Sequence, residues 1–222
     1  MMSRTAKDAF YKLAGPLMYV SGKVYELFKS PASNNTGTIK VHLGPGQKNY
    51  MDGWINVDAN IFSGKADVWA DLRNPLPFKD ESVDIFYSHH VIEHLPDLPF
   101  HFAEMYRCLK KGGKIRVGGP NGDSAIKKFM ENDLAWFTDF PDKRTSIGGK
   151  FENFVFVRQE HLTILTSSYL NEIASNVGFS DFHVRLPIRE TGFPEYIDEQ
   201  VTSKEWEKDF ETPETLLIEA VK

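Results

Sequence analysis

The 222-residue chain is predicted to fold as an α/β domain built on a mainly parallel sheet. Three observations carry that prediction. From residue 39 onward, short apolar runs alternate with segments of helical periodicity. Glycines and aspartates fall at the ends of successive runs, where an open α/β sheet forms its ligand crevice. At 41% hydrophobic and 13% aromatic residues, the chain can bury one sizeable core.

Residues 1–38 precede this pattern and read as a helical extension with a linker, leaving 39–222 as the main domain. Phe10, Leu13, Leu17, Val20, Val24 and Leu27 recur at alternating spacings of three and four, which makes an amphipathic stripe. Gly15-Pro16 interrupts it and predicts a kink or two short helices. The segment is locally basic: Arg4, Lys7, Lys12, Lys23 and Lys29 face only Asp8 and Glu26. Three roles fit it, namely a cap on the active site, a homodimer interface, or peripheral contact of residues 1–30 with an anionic membrane. The turn-rich stretch Ser30 to Thr38 is the linker.

Strands are predicted at 39–43, 54–58, 66–70, 83–87 and 114–118, with two more near 181–186 and 215–221. After the fourth, Phe102, Met105, Tyr106 and Leu109 mark a helix that Lys110 and Lys111 favour and Gly112-Gly113 end. A later helix carries Leu170, Ile173, Ala174 and Val177, with Gly178 as its stop. Residues 121–165 break the alternation. They hold Phe129, Trp136, Phe137, Phe140, Phe151, Phe154 and Phe156, and read as a lid insertion forming the acceptor wall.

The net charge of −5 does not mark a nucleic-acid binder. A single cysteine, Cys108, excludes an intrachain disulfide and fits a reducing compartment. With no run long enough to span a bilayer and no secretory signal core, a cytoplasmic protein is expected.

The run Val41-His42-Leu43-Gly44-Pro45-Gly46 supplies two glycines of a dinucleotide fingerprint, but the third position falls on Asn49. Only residues 47–53 remain before the next strand, too few for the helix that would receive a pyrophosphate. Asp58 ends the second strand, where a carboxylate can accept hydrogen bonds from a ribose diol. Asp71 ends the third.

These segments, with "GWINVDAN", "ADLRNPLPFKDESVDIFYSHHVIEHL", "EMYRCLKKGGKIRVGGP" and "ETLLIEAVK", resemble the class I S-adenosylmethionine-dependent methyltransferases, and most of all their type 11 group. The resemblance is dense over about 39–120 and returns at 161–186 and 214–222. It implies a Rossmann-like three-layer sandwich on a seven-stranded, mostly parallel sheet whose last strand runs antiparallel. It also implies S-adenosyl-L-methionine as cofactor. By the same resemblance Leu43, Gly44, Pro45 and Gly46 approach its amino-acid part, Asp58 and Ala59 its ribose, Asp71 and Leu72 its adenine, and Ser88 and His89 its methionine side. The chain departs from the pattern at His42-Leu43, where many relatives carry an acidic residue, and at Pro120-Asn121-Gly122-Asp123, where they often show Pro-Asp.

Methyl transfer from a sulfonium is a direct displacement and requires neither a covalent enzyme intermediate nor a metal. Alignment contributes up to about 7–11 kcal/mol, and a general base adds roughly 10²–10⁴-fold for a hydroxyl acceptor. His89, His161 and Asp123 are the candidate catalytic residues. The acceptor expected is a small molecule or glycan, methylated at a sugar hydroxyl or phosphate-type oxygen. A non-catalytic cofactor-binding scaffold is the alternative. A remoter one is a zinc hydrolase, because His90-Val91-Ile92-Glu93-His94 matches H-x-x-E-H, in which one helical face would carry both histidines.

Overall fold

A computed structural model describes residues 4–34, 36–60 and 64–222. The first three residues of the expected extension and Asn35 of the linker lie outside the described residues. Seven strands form one sheet: β1 (Lys40–Leu43), β2 (Ile55–Asp58), β3 (Val68–Trp69), β4 (Val83–His89), β5 (Leu109–Pro120), β6 (Ser180–Arg185) and β7 (Thr215–Val221). Their order is β3-β2-β1-β4-β5-β7-β6, and β7 is antiparallel to both its neighbours. This is the predicted sheet. Reversal of order between β1 and β4 puts the ligand crevice beside the ends of β1, β2 and β4.

Most sequence-predicted strands lie within a residue or two of those observed. The exception is the helix after β4. That helix, α2 (Leu98–Cys108), begins where Asp97 accepts a hydrogen bond from Phe100 N (2.9 Å), and it ends before Lys110, Lys111 and the glycines. Leu109 instead pairs with Val83 and opens β5, so the Lys-Lys-Gly-Gly run belongs to the sheet. Lys110 then meets Asp84 at 2.8 Å.

On one face of the sheet α2 packs with α5 (Ser167–Val177) over Val41, Val57, Phe86, Ile115 and Val117. Thr166 caps α5, and Gly178 ends it at φ 114°, as its sequence predicts. The other face is covered by a thinner layer, in which Phe193, Ile197 and Val201 seal Met51, Trp54, Ile85 and Tyr87. Beneath it lies Arg116, fully buried on β5. Its guanidinium donates twice to Glu205 (2.7 and 2.9 Å), once to Glu219 (2.6 Å) and once to the Glu190 carbonyl (3.0 Å).

The extension is one helix, α1 (Arg4–Phe28), not two, although Pro16 lies inside it. Proline removes one backbone donor, but tertiary packing carries the helix through. Met18 is fully buried, a Cβ at Gly22 would stand 3.5 Å from Pro77, and the Tyr25 ring meets Phe78 edge-on at 5.8 Å. The apolar stripe read from the sequence points the other way: Leu13, Leu17, Val20, Val24 and Leu27 are all exposed.

The insertion contains α3 (Gly122–Met130) and α4 (Ile147–Phe156). Its aromatic residues largely pack on one another. Trp136 meets Phe137 at 4.9 Å and Phe154 at 5.1 Å, and its indole donates to the Thr212 carbonyl.

Candidate active site at the carboxyl edge of the sheet

Gly44 and Gly46 follow β1 with φ of +73° and +58°, backbone conformations that side chains disfavour. A Cβ on Gly44 would come within 2.4 Å of Val91 Cγ2. Gly44 N donates to the Val57 carbonyl (2.9 Å), and Gly46 N donates to Asp58 Oδ2 (2.8 Å). Asn60 N donates to Asp58 Oδ1 (2.7 Å), so the loop after β1 and the turn after β2 share one carboxylate. A carboxylate offers about four acceptor directions, and these bonds take two of them.

Around these groups lies a cavity of about 340 Å³, within the usual range for small-ligand sites. Gly44, Asp58, Ala59, Asp71 and Leu72 line it, five of the ten residues expected to hold a cofactor. Leu43, Pro45, Gly46, Ser88 and His89 are not on its wall. Leu43 and Ser88 are buried in the sheet, and Gly46 acts through Asp58. His89 stands against His90 (ring centroids 4.6 Å) and stacks along Tyr87. Burial, reinforced by His90, holds His89 well below the usual histidine pKa, so it is neutral. His42, which replaces the acidic residue of the family pattern, is buried and reaches Asn56 Oδ1 at 3.3 Å, away from the cavity.

Asp71 is buried and grips its neighbour. Arg73 Nη2 and Nε donate to its carboxylate at 2.7 to 3.1 Å, and the Arg73 guanidinium lies 3.6 Å over the Tyr11 ring of α1. Tyr11 and Arg73 both line the cavity, as do Val91, His94 and Glu160. Of these the sequence points only to His94, as a packing residue whose imidazole could reach the cofactor edge. A D-x-R pattern at a strand end signals the Asp71–Arg73 clamp in retrospect, whereas Tyr11 carries no such signal.

The other two candidate catalytic residues lie off the wall. Asp123 accepts from Ser167 N (2.8 Å) and ties the start of α3 to the start of α5. His161 is mostly buried, with Nδ1 at 3.2 Å from the Val155 carbonyl and Nε2 at 3.9 Å from Glu93 Oε1. Burial lowers its pKa to about 4, against the opposing pull of Glu93. Glu93 is itself buried; desolvation pushes it up, but His90 and His94 outweigh this and hold it below the ordinary carboxylate range. The H-x-x-E-H string is not on an α-helix. His90 is left-handed (φ 56°) and only Ile92–His94 forms a 3₁₀ turn, so the two histidines do not share a helical face.

Comparison with known proteins agrees with this geometry. A family model described as "Methyltransferase domain", of the type 11 methyltransferases, matches residues 57–117. The matched stretch runs from β2 into β5 and is methyltransferase-like. A sterol methyltransferase-like protein of Botryococcus braunii is 37% identical over 84 residues, 35% of this chain and 21% of the relative. The match thus spans about a fifth of that curated relative. Among solved structures, an S-adenosylmethionine-dependent methyltransferase of Thermotoga maritima has a TM-score of 0.51 at 18% identity, covering 97% of this chain and 95% of that one. The Haemonchus contortus phosphoethanolamine N-methyltransferase 2, solved with S-adenosylmethionine, has a TM-score of 0.50 at 18% identity, covering 99% and 57%. These likenesses show the fold alone: the seven-stranded sheet with β7 reversed.

The cleft fits S-adenosylmethionine. Gly44 brings bare backbone to the wall with no Cβ to displace Val91, and Asp58 keeps acceptor capacity beside it. Asp58, Asp71 and Glu160 outnumber Arg73 among the charged wall residues, which suits a ligand bearing a sulfonium and an ammonium.

Proposed function

We propose that the chain catalyses S-adenosylmethionine-dependent methyl transfer to a small-molecule or glycan acceptor, with a neutral sugar hydroxyl as the favoured nucleophile. The observation that carries this reading is the Asp58 carboxylate, fixed by Gly46 N at 2.8 Å on the wall that Gly44 opens. When bound, the cofactor supplies an electrophilic methyl group. Asp58 would hold its ribose, the backbone at Gly44 its amino-acid part, and Asp71 with Leu72 its adenine. The acidic balance of the wall favours a neutral hydroxyl over a phosphate-type oxygen. The name of the Botryococcus relative points to sterols and that of the Haemonchus structure to a phosphobase amine, so a panel of acceptors should include both.

Calorimetry with S-adenosylmethionine and S-adenosylhomocysteine tests the reading. Asp58→Ala and Asp58→Asn should each weaken binding by about 10-fold to 100-fold, as expected for losing a hydrogen bond to a charged group. A folded wild-type protein that binds neither compound would overturn the assignment. Binding without turnover on any acceptor would favour the scaffold alternative.

Tyr11 on the cavity wall supports the cap role for α1. The outward stripe supports a second role as an interface between copies of the chain. Its strict alternation of three and four residues is the narrow seam of paired helices rather than the broad face of a membrane-lying one. Light scattering should show a dimer that Leu17→Glu with Val24→Glu converts to monomer; a wild-type monomer at high micromolar concentration would remove this role.

A further inference from the structure

We propose that Glu93, His94 and His161 form a binding site for a divalent first-row transition-metal ion at the edge of the cleft. Their donor atoms all lie within 4.8 Å of one another. His94 follows β4, whereas His161 comes from the far end of the insertion, so the fold and not a local motif brings them together.

Hydrogen bonding determines which imidazole atoms face the carboxylate. His94 Nδ1 stands 2.8 Å from the Glu160 carbonyl, and His161 Nδ1 stands 3.2 Å from the Val155 carbonyl. A carbonyl only accepts, so in each ring the hydrogen faces it from Nδ1, and in the unprotonated form that binds a metal the bare Nε2 lone pair turns elsewhere. Both Nε2 atoms turn toward Glu93 Oε1, at 3.8 and 3.9 Å. Three acceptors therefore converge on one point.

The carboxylate has little other relief. Glu93 is 1% exposed, and among the described residues neither of its oxygens has a well-formed hydrogen bond. An acceptor cluster around a buried carboxylate is costly unless something positive sits among its members. Nor can the carboxylate swing away easily: even a Cβ on Gly119 would lie 2.8 Å from Oε2, so it rests against bare backbone of β5. His90 Nδ1 is 3.3 Å from the same Oε1, with Nε2 at 3.2 Å from Thr215 Oγ1. It steadies the carboxylate without being needed as a ligand.

The distances suit a metal. Donors about 2.0–2.2 Å from an ion can be no more than about 4.4 Å apart; both Glu93–histidine separations fall inside that limit, and from the 4.8 Å that bounds the whole set the two imidazoles need close by at most a few tenths of an ångström. Imidazole nitrogen with one carboxylate is the ligand set of zinc and its first-row neighbours, not of calcium or magnesium. Backbone carbonyls holding the remote ring nitrogens are the usual outer partners of metal-bound histidines. Three protein ligands leave further positions open, and His94 is itself part of the cleft wall. An ion here would pin the end of the insertion to the sheet beside the cleft.

The test uses the full chain after dialysis against chelator, titrated with Zn²⁺ by calorimetry and with Co²⁺ by visible absorption. One ion per chain should bind, with the d–d bands of a nitrogen- and oxygen-ligated, low-coordinate Co²⁺. His161→Asn, His94→Asn and Glu93→Gln should each weaken binding by at least 100-fold, and His90→Asn by much less. Circular dichroism and thermal unfolding show whether each variant is folded. The proposal is overturned if the folded wild type binds no ion, or if binding survives unchanged in both His161→Asn and His94→Asn. It is equally overturned if nuclear magnetic resonance finds His94 or His161 protonated on both nitrogens at neutral pH with metal present. Cofactor binding is read separately, so failure here leaves the methyltransferase reading standing.

Discussion

Replacing Arg116 by methionine should cost about 3–5 kcal/mol of stability, the range for removing one member of a buried ion cluster. The midpoint of a urea unfolding curve, at unchanged slope, measures it. Arg116, Glu205 and Glu219 are all fully buried at their side chains. Arg116 is the sole cation among the described residues that bonds Glu205, whose only other donor is Ile188 N at 2.7 Å. Glu219 is better provided, with Arg185 Nε (2.8 Å), Gly192 N (2.7 Å) and Thr191 Oγ1 (2.7 Å). The penalty in Arg116→Met should therefore reside mainly in Glu205. Adding Glu205→Gln to Arg116→Met should recover a substantial part of the loss, as a coupling in a double-mutant cycle. Equal, additive losses from the two substitutions would show that the cluster is not coupled. The network ties residues 185–205 across β5 and β7, and these residues are the cover of the second face, so the same variant should loosen that layer before the rest.

That network was not legible in the sequence, and the reason is physical. Arg116 sits in an alternating strand run, where a charged residue is read as facing water, and its two carboxylates lie 89 and 103 residues further along. By contrast, Gly44 and Asp58 were legible because one short stretch of chain determines each. A glycine pair after a strand and an acid at the end of the next are local features, and the parallel sheet places strand ends side by side. Arg73 and Tyr11 fall between these cases. The Asp71–Arg73 clamp is local, but Tyr11 reaches the cleft only because α1 docks on the edge of the sheet through Met18, Gly22 and Tyr25. That docking reversed the expected orientation: the most hydrophobic stripe of α1 faces outward, and a mixed face with a glycine and two tyrosines packs. Hydrophobic periodicity finds the helix but cannot tell which of two neighbours, the domain or another copy, its stripe will meet. The end of α2 failed for a related reason. Lysines and glycines are good helix-stop signals, yet Leu109 gains more by pairing with Val83 than by adding a last turn.

Gly44→Ala should abolish measurable cofactor binding while leaving most of the fold intact. Two terms act together. Alanine at φ +73° costs about 1–2 kcal/mol of backbone strain. Its Cβ would also stand 2.4 Å from Val91 Cγ2 and 3.1 Å from Cγ1, a contact that forces one of them to move. Moving the loop is difficult, because Gly44 N is held by Val57 and Gly46 N by Asp58. The valine is the softer partner, and Val91 lies on the cavity wall. The steric relief is thus taken in the volume that the ligand needs, so binding should fall by far more than stability does. Val91→Ala separates the terms. Combined with Gly44→Ala it removes the clash but not the positive φ, and should restore most of the binding and little of the stability. Titration with S-adenosylhomocysteine and thermal unfolding on the same samples read both quantities. Wild-type affinity in the single Gly44→Ala variant would mean that this glycine serves the turn alone and that the cofactor lies elsewhere.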